Sequence, residues 1–223
     1  DEAIRKAIEE HNEICRIITE IGDLRKLDNP PVTGYEFHVI QLVSEVCPQY
    51  LIIDKLKETL AEIKKRRKDA KPKYRARLVV TGSEVDDPEF TKLLEDCGIY
   101  VAADRYCYGS LPGREQIEVK DGESALTAVA RHYLSTSECP RFMNKEKQLQ
   151  RRDYLKQLIN DYKADGVLYL QMKFCEFWSY ERVMGVHDMN EVEGIPCIGV
   201  EKEYTMASAG QLRTRFQAFV ESI

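Results

Sequence analysis

The sequence has no uninterrupted apolar run of about 18 residues, so no segment reads as membrane-spanning. It has no C-x-x-C pair, although it carries seven cysteines, at 15, 47, 97, 107, 139, 175 and 197. That pattern argues against a zinc ribbon or a thioredoxin-type site. With no export signal at the start, a disulfide framework is not expected either. Histidine is scarce: His11, His38, His132 and His187 are scattered and make no H-E-x-x-H. No strand is followed by a Walker A or G-x-G-x-x-G loop, and no G-x-S-x-G elbow occurs, which excludes the common nucleotide and hydrolase motifs. Positive charge is in deficit, 33 Lys and Arg against 38 Asp and Glu for a net −5, so general nucleic-acid binding is not expected. Internal repeats and low-complexity tracts are lacking too. The chain does not begin with Met, which hints at a processed or excised piece.

What is present is a globular composition, 43% hydrophobic and 32% charged over 223 residues, long enough for a substantial core. It reads as a soluble, cytoplasmic protein. Residues 1–75 read as a helical lead-in packed on the same domain. Ile4, Ile8, Cys15 and Ile18 form one stripe, and Ile14, Ile17 and Ile21 a second. Asn29-Pro30-Pro31 breaks the chain, and a further helix from about Ile52 runs into Lys64-Lys65-Arg66-Arg67-Lys68. Cations suit the last turn of a helix, so this run reads as a solvated end, with a docking surface for phosphate or an acidic partner as the lesser reading.

From residue 76 to 223 the pattern becomes strand, loop, helix, repeated. Apolar runs at 78–80, 99–103, 166–170 and 195–200 read as buried strands, with helices near 88–97, 123–135, 146–163, 176–186 and 210–223. The fold class expected is α/β, Rossmann- or flavodoxin-like. It would have a mostly parallel four-stranded sheet with helices on both faces, preceded by the helical N-terminal segment. Such sheets bind ligands along the carboxyl edge of their strands, which gathers Ser83, Asp104, Cys107, Cys175 and Glu201 as candidates. Cys175 stands between a strand and a helix start, where a thiolate is favoured as nucleophile or soft-metal ligand. Cys107, on the loop before Gly109, is the weaker candidate. Cys15, Cys97 and Cys197 read as core. Ser208 to Gly210 opens the last helix, where exposed N–H groups offer an anion site or simply an ordinary cap.

A series of segments then stands out in order: H-N-E-I-C-R, N-P-P-V-T-G, T-G-S-E-V-D-D-P, A-D-R-Y-C-Y-G, C-P-R-F-M, D-G-V-L-Y-L-Q-M-K-F-C-E, G-I-P-C-I-G-V-E and G-Q-L-R-T-R-F-Q-A-F-V-E-S. This series resembles the 2-hydroxyacyl-CoA dehydratase family, which includes the subunits of ATP-dependent benzoyl-CoA reductase. The resemblance implies a 4Fe-4S cluster held between two α/β domains by three cysteines. Lys173-Phe174-Cys175-Glu176 matches the segment that supplies the third. The other two have no counterpart here, so the chain resembles a C-terminal half, either an excised fragment or a natural half-protein, that holds no intact cluster alone. It also implies a sister subunit in a heterodimer, an ATP-dependent activator protein, and an acyl-CoA substrate that loses water through a ketyl radical. Asp104 to Gly109 and the Gly210 to Arg215 segment are also family-like. Ser83, Asp104, Glu201, Ser208 and Gly210 are the substrate-side expectations. A benzoyl-CoA reductase-type subunit and a non-catalytic α/β binding or assembly domain remain the alternatives.

Overall fold

A computed structural model describes residues 1–66, 74–110, 114–142 and 144–223. Three helices lead: α1 (Glu2–Asp23), α2 (Gly34–Val46) and α3 (Gln49–Lys65). The alternating part follows as β1 (Ala76–Gly82), α4 (Pro88–Asp96), β2 (Ile99–Arg105), α5 (Ala125–Thr136), α6 (Lys145–Asp161), β3 (Gly166–Met172), α7 (Glu176–His187), β4 (Cys197–Lys202) and α8 (Ala209–Ser222). The four strands are all parallel, in the order β2-β1-β3-β4. The chain thus leaves β1 toward one side and returns to place β3 on the other. That makes the β1/β3 junction a topological switch point.

Local chemistry accounts for the starts of these helices. Thr33 and Glu36 form a reciprocal capping box on α2. Asp87 caps α4 with Pro88 in its first turn, and Ser124 and Asn144 cap α5 and α6. Gly98 ends the α4 unit with φ +83°, a conformation that glycine adopts without strain. The strands alternate between two cores. Leu78 and Val80 pack with Phe90 and Leu94 of α4 and Leu212 and Phe216 of α8. On the opposite face Val79, Val167 and Tyr169 pack with Leu155 and Ile159 of α6 and Trp178 of α7. A third core joins α1, α2 and α3 through Ile14, Ile21, Phe37, Leu56 and Ile63.

The strands run longer or later than the sequence reading, and two shifted boundaries have a visible cause. β4 begins at Cys197, not Ile195, because a π-helical turn at Asp188–Val192 precedes it. There Ile195 N–H donates to Met189 O (2.8 Å), and the Asn190 amide brackets the Cys197 backbone with two 2.9 Å bonds. α3 stops at Lys65, and the Arg66 guanidinium bonds Pro31 O and Glu36. Arg67 and Lys68 of the expected helix end lie outside the described residues. So does Met143 of the C-P-R-F-M segment.

Polar contacts fasten the leading helices to the sheet. Tyr100 OH donates to Val32 O (2.9 Å), and Arg77 donates to Arg25 O (2.6 Å) and Leu27 O (3.3 Å). The buried His38 ring bridges Thr91 Oγ1 (2.9 Å) and Val85 O (3.0 Å). Deepest is the ion pair of Arg25 and Asp104 at 3.1 Å, with both side chains buried and Arg25 stacked 3.6 Å over Phe37. Burial opposes the Asp104 charge, but Arg25 and Arg114 outweigh it and hold the carboxyl below its usual value. A carboxyl with a lowered folded value stabilises fully above its unfolded value near 4, and that contribution is lost as pH falls through the folded value. Asp104→Asn should therefore cost about 3 kcal/mol or more at neutral pH by stranding Arg25. In urea unfolding at several pH values, the variant should also lose less stability below about pH 4 than the native chain does.

Candidate functional site

The carboxyl edge is built around the switch point. β1 and β3 approach so closely at Gly82 that a Cβ there would lie 2.7 Å from the Leu170 Cβ, and closer still to its carbonyl oxygen. Ser83 then ties three strand ends together. Its N–H donates to Leu170 O (3.0 Å), its hydroxyl accepts from Met172 N–H, and its carbonyl accepts from Cys107 N–H (3.4 Å). Ser83 is buried, and its hydroxyl is engaged in this tie.

Past β3 the chain turns sharply. Phe174 takes φ +69°, uncommon for a bulky side chain, and stands 97% exposed. Lys173 N–H donates to Lys202 O (2.9 Å) and Cys175 N–H to Met172 O (3.0 Å), which holds the turn. Cys175 is the N-cap residue of α7. It is half-buried, and its side chain makes no capping bond. Its sulfur thus stands at the positive end of a helix, over the switch point.

Cys107 is near. Its sulfur accepts a hydrogen bond from the Trp178 indole N–H at 3.3 Å, and its thiol lies 3.9 Å from Gly82 O. Burial pushes this thiol up to about 11, so it is protonated at neutral pH, and the Trp178 bond only partly offsets that. Cys139 and Cys175 are both close enough to act on it electrostatically. The structure thus gathers Ser83, Cys107, Cys175 and Cys139, the last from the C-P-R-F-M segment. The other candidates stand apart. Asp104 faces Arg25, Glu201 is exposed across from Gln171 on the outer strand β4, and Ser208 and Gly210 open α8 on the sheet face opposite α7.

Buried charges behind α7 escaped the sequence reading. Glu181 pairs with Arg151 Nη2 (2.9 Å) and Arg152 Nη1 (2.8 Å). Arg152 also pairs with Asp188 (3.1 Å) and bonds the Tyr169 hydroxyl. Arg105 pairs with Glu138, also buried. No local signal around Arg151-Arg152 reveals partners 30 and 36 residues away. Among the described residues, no group of three His, Cys, Asp or Glu side chains could hold a metal ion.

The profile of the 2-hydroxyglutaryl-CoA dehydratase D-component matches residues 1–223. The chain belongs to this D-component family. It is 25% identical over its whole length to the beta subunit of (R)-phenyllactyl-CoA dehydratase of Clostridium sporogenes, covering 58% of that protein. It is 24% identical to the putative dehydratase subunit YjiM of Escherichia coli (strain K12), again over the whole chain and 58% of that protein. A benzoyl-CoA reductase subunit of Thauera aromatica is 22% identical over the whole chain and 57% of its own length. This D-component chain therefore spans less than three fifths of the curated relatives it matches. No helix among its described residues is long and apolar enough to cross a membrane.

Replacing Ser83 tests the tie at the switch point. Ser83→Ala leaves the Met172 N–H without its acceptor and should cost about 1–3 kcal/mol in urea unfolding. Hydrogen exchange at the Met172 amide should accelerate with it, while amides in α1 to α3 change only by the global loss.

Proposed function

We propose that this chain is the C-terminal half of a D-component dehydratase subunit and presents Cys175 as one donor to an iron–sulfur centre completed from outside these 223 residues. The observation that carries this reading is the Cys175 thiol, half-buried and uncapped, at the mouth of the switch point on the helix N-terminus of α7. The Cys175 thiol with Cys107 behind it is not a cluster site by itself, and the described residues fit the group only as a partial donor set. Such a centre, when complete, supplies low-potential electrons near a thioester. The residues of this chain aim the Cys175 sulfur, fix the turn that carries it, and back it with Trp178.

The surroundings support a partner over Cys175. Phe174, Tyr180, Val183 and Met184 are exposed, the last three at helical spacing along α7, which makes an apolar stripe beside the thiol. Covering that stripe would dry the site. A sister subunit, an ATP-dependent activator, an acyl-CoA substrate and a cytoplasmic location complete the reading, with loss of water from a 2-hydroxyacyl-CoA as the reaction. The similarity to a benzoyl-CoA reductase subunit favours a second reading, reduction of an aromatic acyl-CoA. Incubating the assembled enzyme with a 2-hydroxyacyl-CoA and with benzoyl-CoA separates the two by product.

The donor assignment has its own test. In the complete subunit reconstituted anaerobically, Cys175→Ala should lose most of its iron and acid-labile sulfide on desalting, with unfolding midpoints little changed. This chain alone should retain neither. An unchanged iron content in the variant would remove Cys175 from the donor set.

A further inference from the structure

A cavity of about 310 Å³ lies between α1, the corner joining α2 to α3, and α5, with Gly109 and Arg114 also in its wall. Two polar groups in its wall face the open space. Gln41 is 3% exposed, and its side-chain amide makes no hydrogen bond among the described residues, although it faces the cavity. Arg114 makes no ion pair among the described residues, and its one hydrogen bond is a 3.5 Å contact from Nη1 to Ile18 O. The half-buried Arg114 guanidinium also stands 5.2 Å over the Phe37 ring, so most of its N–H donors, like the Gln41 amide, remain available to a ligand.

Arg114 has no direct bond to a carboxylate among the described residues. Arg25 and Arg114 both bear on Asp104, which is already bonded to Arg25 at 3.1 Å and to Ser110 N–H at 3.1 Å. Arg25 holds the Asp104 carboxylate directly, and Arg114 acts on it from further off. One more carboxyl, Glu45, lies in the cavity wall among the described residues. Burial lowers His11 and His132, which leaves both neutral at pH 7, and it pushes the Cys15 thiol up to about 11. Glu45 is exposed overall, but packing around its carboxyl and the charge of Asp104 push that group up to about 8 against the opposing pull of Arg114. A protonated Glu45 is a hydrogen-bond donor over the opening and does not repel an anion.

We infer that this cavity binds a small organic monocarboxylate, held by a fork of Arg114 hydrogen bonds and by the Gln41 amide. A carboxylate matches a planar guanidinium two bonds to two. Inorganic phosphate would bring close to a second negative charge toward Asp104 and Glu45. Ile14, Ile18 and Tyr133 furnish the apolar part of the wall for the rest of such a molecule, and the volume lies in the range of small-ligand sites. The site stands apart from Cys175 and does not rest on the function proposed for it.

The test is calorimetric titration of the chain with sodium benzoate and sodium hexanoate at constant ionic strength, alongside inorganic phosphate. Both carboxylates should bind at one site, and phosphate should not compete at equal concentration. Arg114→Gln should weaken binding at least about tenfold, as expected for loss of a charge-assisted bond. Gln41→Leu, nearly equal in volume, should weaken it severalfold. Cys175→Ala should leave it unchanged, which separates this site from the iron–sulfur reading. Independently of any variant, the Gln41 side-chain amide resonances should shift on benzoate addition in the native chain. Absence of carboxylate binding, binding indifferent to both wall variants, or unshifted Gln41 resonances would overturn the assignment, as would tighter binding of phosphate.

Discussion

The edge of this molecule is organised by the closeness of β1 and β3 at Gly82. With no side chain there, the two strands meet where the chain reverses its direction of travel across the sheet. The next residue, Ser83, can then reach the backbone of β3 on one side and of the β2 exit on the other. Met172 is thereby held, and the turn through Phe174 starts from a fixed point. The φ of +69° at Phe174 is a local cost, and the flanking bonds to Lys202 and Met172 oppose its relaxation. The direction in which Cys175 presents its sulfur is thus set three residues upstream, by backbone contacts.

A second constraint fixes the helix that follows. Glu181 is buried between Arg151 and Arg152 of α6, and Arg152 reaches on to Asp188 and the Tyr169 hydroxyl of β3. Burying these groups forfeits hydration, and the network regains it only when α6, α7 and β3 are all in register. It is therefore a device for position more than for net stability. α7 can slide or rotate on an apolar face at small cost, but not without stranding a carboxylate between two guanidiniums. The Arg151 Nε and Arg152 Nη2 atoms remain without partners even so, which shows how strongly geometry is favoured over full satisfaction.

The sequence made the elements legible where a pattern is local. Each strand was a short apolar run, because a parallel strand covered on both faces has no polar side to show. Asp87-Pro88 marked α4, and the segment before Glu176 marked Cys175 as a strand-to-helix residue. What stayed hidden was set by contacts at long range. The Arg25–Asp104 pair spans 79 positions, and nothing near either residue signals burial. Cys107 looked like an accessible loop thiol, whereas Trp178, 71 residues on, covers it. The strand order was also out of reach, since apolar runs do not say which neighbour each one takes. Ser83 illustrates the division: its place at the edge was readable, its engagement with three strand ends was not.

The same long-range pairing explains why the two chemical features of the chain lie apart. The buried acidic and basic groups behind α7 are closed upon one another, and what stands open at the start of that helix is the Cys175 sulfur, among exposed apolar side chains. A soft donor in an apolar rim suits a soft metal centre and a dry interface, and is poorly suited to a hydrated anion. At the Arg114 cavity the balance is reversed. Asp104 is bonded to Arg25, and the Arg114 guanidinium lines the cavity with the Gln41 amide, behind helices that the sheet holds in place. A hard anion belongs there. One fold thus keeps two incompatible environments separate by deciding, pair by pair, which buried charges are neutralised within the chain and which are left for a ligand.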